Sequence, residues 1–202
     1  MQDPLFFAFS ILILIFSVIA HELAHGYAAD SLGDPTARMA GRLSVNPLVH
    51  IDLFGSILLP TASFLLGGVI FGWAKPVPYN PYNLKSRAGE AFVASAGILT
   101  NLGLALAFGL LIRFFGDTLS ASALALASAV VLINCVLAVF NAIPLPPLDG
   151  SKVLSSFLPF HLAEKVNALE AWALPVLLFV VFFLWPVLSP LVSALFRLIT
   201  GA

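Results

Sequence analysis

The 202-residue chain has little of what marks a soluble enzyme. Asp, Glu, Lys and Arg together make up 9% of it, against about 25% in an ordinary soluble domain. The net charge is −1 and no basic run occurs, which excludes the electrostatic footprint of a nucleic-acid binder. A single cysteine, Cys135, excludes an intrachain disulfide; within an apolar run it reads as a small packing residue. The N-terminus, MQDP, carries Asp3 and no positive charge. It therefore lacks the basic start of a secretory signal, and the first helix is expected to be retained. Neither an internal repeat nor a linker is visible, so residues 1–202 read as a single integral-membrane domain.

What is present is overwhelmingly apolar. Hydrophobic residues make up 60% of the chain and the mean hydropathy is +1.05. Several runs approach or exceed the ~20 residues that cross a bilayer core, so we expect an all-α polytopic helical bundle with about four to six apolar segments. Helices are expected over Leu5–Ala29, Ala88–Phe115 and Ser120–Ala142. Ser151–Asn167 reads as an amphipathic interfacial segment. Leu169–Ile199 is a last apolar stretch that Pro175, Pro186 and Pro190 kink or split. Pro60 and Gly67-Gly68 break the apolar run Ile51–Trp73. ARMAGRLSVNP is a candidate β-hairpin strand, and KPVPYNPYNLKSR a loop or extended segment near the cytoplasmic face.

Two histidines and a glutamate interrupt the first apolar run, in the sequence HELAH: His21, Glu22 and His25. Residues i and i+4 share a helix face, so His21 and His25 can bind one metal. Glu22 lies ~100° round the helix, within reach of a water on that metal. H-E-x-x-H on a helix is the pattern of two zinc ligands and a general base, and zinc brings the pKa of its water toward ~7. The plain alternative is a chance match on a surface helix. Context weighs against it, because a charged acid in a bilayer costs about 2.5–3.5 kcal/mol, and a metal makes the placement explicable.

A catalytic zinc normally takes a third protein ligand. The candidates are Asp30, Asp34, His50, Asp52, Glu90, Asp117, Asp149, His161, Glu164 and Glu170. No Glu lies between Glu22 and Glu90, so the soluble pattern with a Glu on the next helix fails. Asp149 stands out, in a proline-rich break between apolar stretches, since irregular backbone at membrane depth must line protein or water. His50 and Asp52 are its nearest rivals.

HELAHG followed distantly by NAIPLPPLDG resembles the site-2 protease family of intramembrane zinc metalloproteases. GRLSVNPLVHIDLFGSILLP and FGWAKPVPYNP resemble its compact branch, which lacks a PDZ domain. The resemblance covers most of Ala20–Gly150. It implies one zinc ion held by His21, His25 and Asp149, Glu22 as base, and a membrane-protein or membrane-anchored peptide as substrate. The chain departs from the family's A-G-P-x-x-N pattern at AGILTN, where Ile98 replaces the proline and Asn101 remains. Asn101 is a candidate either for gripping substrate or for hydrogen bonding between helices, and Asn141 either for gripping substrate or for capping freed backbone.

Arg38 and Arg42 follow the first helix, so it is expected to run from outside to inside. His21 lies ~16 residues beyond Leu5, about 24 Å along the helix, which puts the metal nearer the cytoplasmic face of a ~30 Å core. Asp149 reaches that depth only if Ile51–Trp73 enters and leaves on one side. Lys75, Lys85, Arg87, Lys152 and Lys165 then lie inside, and FGDT outside. We thus expect hydrolysis of a peptide bond in or near the membrane, in the cell membrane of a prokaryote. The substrate is expected to unwind and pair with an edge offered by ARMAGRLSVNP or WAKPVPYNP. The competing readings are a membrane metal carrier or transporter, which usually shows repeats, and an inactive scaffold, against which the intact HELAH speaks.

Overall fold

The computed structural model describes residues 4–59, 61, 73–84 and 86–201. Helix α1 spans Pro4–Ser31; its 28 residues run about 42 Å, and its N-terminal half exposes Phe7, Leu12 and Phe16 as a lipid-facing surface. A short helix α2 (Thr36–Met39), a 3-10 turn at Pro47–His50 and a π-turn at Leu53–Leu58 follow. Trp73–Asn80 has no regular secondary structure, and Pro81–Asn83 makes a 3-10 turn. Helix α3 (Arg87–Phe115) starts where Ser86 accepts a hydrogen bond from the Gly89 N–H, a typical N-cap. The turn Gly116–Thr118 leads to α4 (Ala121–Asn141), capped in the same way by Ser120. Short helices α5 (Asp149–Phe157) and α6 (Phe160–Ala168) follow.

The last apolar stretch folds as α7 (Ala173–Phe179), a π-turn at Val180–Leu184 and α8 (Trp185–Thr200). Pro186 stands at the start of α8. Its missing N–H and its ring disturb the preceding turn, and the chain answers with one wide π-turn rather than a stop. Gly201, at φ +80°, closes α8 in the left-handed conformation that glycine adopts freely.

Helix α3 is central, packing on α1, α4, α5 and α8. Small residues permit this. A Cβ on Gly109 would lie 2.0 Å from Ile199 Cγ2, so the α3–α8 crossing needs glycine there. Among the described residues four helical stretches are long and apolar enough to cross a membrane: Pro4–Ser31, Arg87–Thr118, Ala121–Asn141 and Phe160–Thr200. This agrees with the expected helical bundle and supports an integral membrane protein.

The described residues contain no strand. In the stretch expected to form a hairpin, α2 takes up Thr36–Met39, the positive φ of Gly41 (+65°) turns the chain, and residues 42–46 run without ladder partners. The expected re-entrant path of Ile51–Trp73 rests mainly on residues 60 and 62–72, and Lys85 carries part of the charge argument; both lie outside the described residues. Hydrogen bonds tie the two ends of the α1–α3 connection together. Asp34, just past α1, accepts hydrogen bonds from Asn80 N–H (2.6 Å) and Asn83 Nδ2 (2.7 Å), just before α3. The chain therefore leaves α1 and enters α3 at one end of the bundle.

Candidate metal centre

Helix α1 carries His21 and His25 one turn apart, 6% and 8% exposed, facing α3. They can sit there because the facing residue is Gly97: a Cβ at that position would lie 2.5 Å from His21 Cε1 and from His25 Nε2. Asp149 arrives from α4. That helix ends at Asn141, and Pro144, Pro146 and Pro147 forbid its continuation, with the 146–147 bond cis. Helix α5 then begins at Asp149, an acid in the first turn where the helix dipole favours negative charge. Gly150 lets α5 start so close. A Cβ there would meet the carbonyl oxygens of Ala142 and Ile143 at 2.4 and 2.5 Å. The DG pair thus has a steric reason beside its chemical one.

The three side chains converge. His21 Nε2 lies 3.0 Å and His25 Nε2 3.2 Å from Asp149 Oδ2, and the two Nε2 atoms are 3.0 Å apart. Their other ring nitrogens are committed. His21 Nδ1–H donates to Asn101 Oδ1 (2.6 Å) and His25 Nδ1–H to the Val93 carbonyl (2.7 Å). With Nδ1 so engaged, each ring turns its Nε2 to the centre as the potential ligand atom. Asp149 Oδ2 is buried without a hydrogen-bond partner. Three atoms of the type that ligate zinc thus converge on one point. A tetrahedral zinc with ligands at 2.0–2.1 Å has ligand–ligand edges of about 3.3 Å, close to the 3.0–3.2 Å seen. The residues present fit a zinc ion.

Behind His21 runs a buried polar chain. Asn101 Nδ2 donates to Asn134 Oδ1 (2.9 Å), and Asn134 Nδ2 donates to Ser17 Oγ (2.9 Å). It links α3, α4 and α1 and fixes the His21 ring. Asn101 is fully buried with its amide spent on His21 and Asn134, and it lies outside the cavity wall; of its two candidate roles, the interhelical hydrogen bond is the one observed. Asn141 lines the cavity and donates from Nδ2 to the Leu137 carbonyl (3.0 Å). Asn134 and Ser17 belong to no motif, and Gly97 lies in AGILTN beside Ile98. The signals were there: polar or very small residues inside apolar helices.

A cavity of about 680 Å³ opens beside the three residues, lined chiefly by apolar groups such as Phe54, Trp73, Leu137 and Leu177. Glu22 also lines it, and its Oε2 accepts a hydrogen bond from the Val77 N–H at 2.7 Å. Tyr79 and Lys152 form a polar corner, with Lys152 Nζ 5.5 Å from the Tyr79 ring centre. Burial, then the negative fields of Glu90 and Asp149, push the Tyr79 phenol well above its usual value. It meets the cavity as a neutral hydroxyl.

The rival ligands have other occupations. His50 Nε2–H donates to the Ser44 carbonyl (2.8 Å), Asp52 accepts from Gly55 N–H (2.6 Å), and Asp30 pairs with Arg38. Asp34 is bound by Thr36, Asn80 and Asn83. Among the described residues, His21, His25 and Asp149 form the cluster whose ligand atoms lie close enough to share an ion, and Glu90, Asp117, His161, Glu164 and Glu170 are not in it.

Comparison with known proteins places the chain in a family. A family model described as "Peptidase family M50" matches residues 109–184, a window that holds Asp149 but not the α1 histidines. "Putative zinc metalloprotease YwhC" of Bacillus subtilis is 37% identical, over 89% of this chain and 85% of its own length. "Putative zinc metalloprotease Rip2" of Mycolicibacterium smegmatis is 27% identical, over 87% of this chain and 66% of its own. The protein of the same description from Mycobacterium tuberculosis is 28% identical, over 86% and 65%. No solved structure matches the chain. The 37% identity to the Bacillus protein over 89% of this chain shows the family, and the chain belongs to peptidase family M50, the site-2 protease family of intramembrane zinc metalloproteases.

Proposed function

We propose that this chain hydrolyses a peptide bond within or next to the membrane segment of a protein substrate, with His21, His25 and Asp149 as zinc ligands and Glu22 as general base. The observation that carries this reading is the triangle of three converging ligand-type atoms, 3.0–3.2 Å on a side, one residue from a carboxylate that faces the same cavity. When bound, zinc supplies the Lewis acid and lowers the pKa of a water. Glu22 takes the proton of the attacking water and returns it to the leaving amine, so protons balance over one hydrolysis. Asn101 and the Val93 carbonyl orient the two imidazoles from behind. Asn141, on the cavity wall, contacts the substrate backbone, and the apolar lining takes its side chains.

The site lies nearer the cytoplasmic face of a prokaryotic cell membrane, which the arginines after α1 and the shared end of α1 and α3 support. The carrier and scaffold readings draw no support from the family match, and Glu22 has no task in either. Replacing Asp149 with Ala tests the ligand set. Purified Asp149→Ala protein should retain its helical content and lose most of its zinc by elemental analysis. Wild-type zinc content in that variant would remove Asp149 from the site.

A further inference from the structure

One wall of the cavity is the strap Trp73–Asn80, held from several sides: Trp73 N–H donates to the Gly55 carbonyl (3.0 Å) and Lys75 N–H to the His50 carbonyl (2.8 Å). Within it, A-K-P-V-P-Y has a simple consequence. Pro76 and Pro78 supply no N–H and push Lys75 and Val77 toward extended backbone. Val77 therefore carries the one amide between the two prolines, and that amide holds Glu22 Oε2 at 2.7 Å. Val77 is 5% exposed, so bulk water competes poorly for the bond.

Arg42 grips the other side of the same peptide group. It is 8% exposed, and its Nη2 donates to the carbonyls of Lys75 (2.8 Å) and Pro76 (3.2 Å). Among the described residues no carboxylate lies within ion-pair distance of it. Burying a guanidinium without an acid is costly, so its placement calls for a reason. The Pro76 carbonyl and the Val77 N–H belong to one peptide unit. A cation on its oxygen polarises the unit and strengthens its N–H as a donor. The chain reads guanidinium, peptide, carboxylate: Arg42 is the counter-charge of Glu22 with one peptide group between them.

We propose that Arg42 is a positioning residue for Glu22, acting through the Pro76–Val77 peptide to hold Oε2 and leave Oε1 to the attacking water. This rests on the reading of Glu22 as general base. It also gives Val77 and the GRLSV stretch a role that needs no strand pairing.

The first test uses metal-free protein and no substrate. Labels of 13C-carbonyl proline and 15N-valine select the three Pro–Val amides at 76–77, 175–176 and 186–187; the Pro76–Val77 proton, identified by its loss in Val77→Ile, should resonate downfield in the wild type. It should move upfield in Glu22→Gln and in Arg42→Gln alike. A shift in Glu22→Gln with no shift in Arg42→Gln overturns the proposal. The second test is kinetic, on the reconstituted zinc-loaded chain. Arg42→Gln should lower kcat about tenfold or more, the scale of a slightly misplaced catalytic group, with KM and zinc content unchanged, and Arg42→Lys should recover part of the loss. Unchanged kcat, or a rise in KM alone, overturns it. If Arg42→Gln does not fold, replacing Val77 by its α-hydroxy acid removes the N–H and weakens the Pro76 carbonyl as acceptor, loosening both links; the same fall in kcat is expected, and wild-type kcat overturns the proposal. Cleavage that survives in Glu22→Gln would instead defeat the underlying functional reading, and the amide-shift test would still stand on its own.

Discussion

The potential ligand atoms of two imidazoles and a carboxylate crowd to within 3.0–3.2 Å of one another, and the fold spends much of its buried polarity on holding them there. Asn101 and the Val93 carbonyl take the Nδ1 protons, which leaves Nε2 for the centre on both rings. Removing such an outer partner typically costs 10–100-fold in metal affinity. Asn101→Leu should therefore weaken zinc binding by about that factor, measured by competition with a chelator; unchanged affinity would show that the His21 ring needs no such support. Much of the residue scale was legible. HELAH and PLPPLDG named the four central residues because their chemistry is rare in an apolar chain. Gly97, Asn134 and Ser17 were not, because their roles depend on which helix faces which. Val77 was beyond reach for a different reason: it contributes a backbone N–H, which no side-chain pattern announces.

The helices themselves were easy to read, since long apolar runs with Ser caps and glycine or proline stops leave little choice. The stretch between α1 and α3 was not. ARMAGRLSVNP alternates enough to look like a strand, yet hydrogen bonds from side chains win over a ladder. Arg42 takes two strap carbonyls, and Asp34 gathers Thr36, Asn80 and Asn83. Burial alone would raise Asp34, but the hydrogen bonds from Thr36, Asn83 and Asn80 outweigh it and hold its carboxyl below the usual range. A depressed native pKa stabilises the fold above the unfolded value of about 4 and loses that contribution as pH falls through the native one. Asp34→Asn keeps an acceptor but points an NH2 at groups that already donate. It should destabilise the protein by about 1–3 kcal/mol at neutral pH and flatten the loss of stability on acidification. Thermal unfolding of both forms in detergent across pH 3–7 would show it; parallel curves would mean that Asp34 contributes nothing ionic.

At the scale of the whole molecule, α1 and α4 run the same way and α3 against them, which brings the metal residues, Asp34 and the strap to one end of the bundle. The turn Gly116–Thr118 lies at the other end of α3. Cysteines introduced at Asp117 and at Lys165 should react with an impermeant thiol reagent from opposite sides of the membrane, Asp117→Cys from outside. The native Cys135 is fully buried, so background labelling should be low. Labelling of both from one side would contradict the arrangement. The proposed hydrolysis stands on Glu22 acting on water beside a metal that it does not itself bind. The most direct measurement is paired zinc analysis and substrate cleavage by wild-type and Glu22→Gln protein in liposomes. We predict equal zinc and a fall in cleavage of at least about 100-fold, the lower end of what a general base contributes; cleavage near the wild-type rate with zinc in place would contradict it.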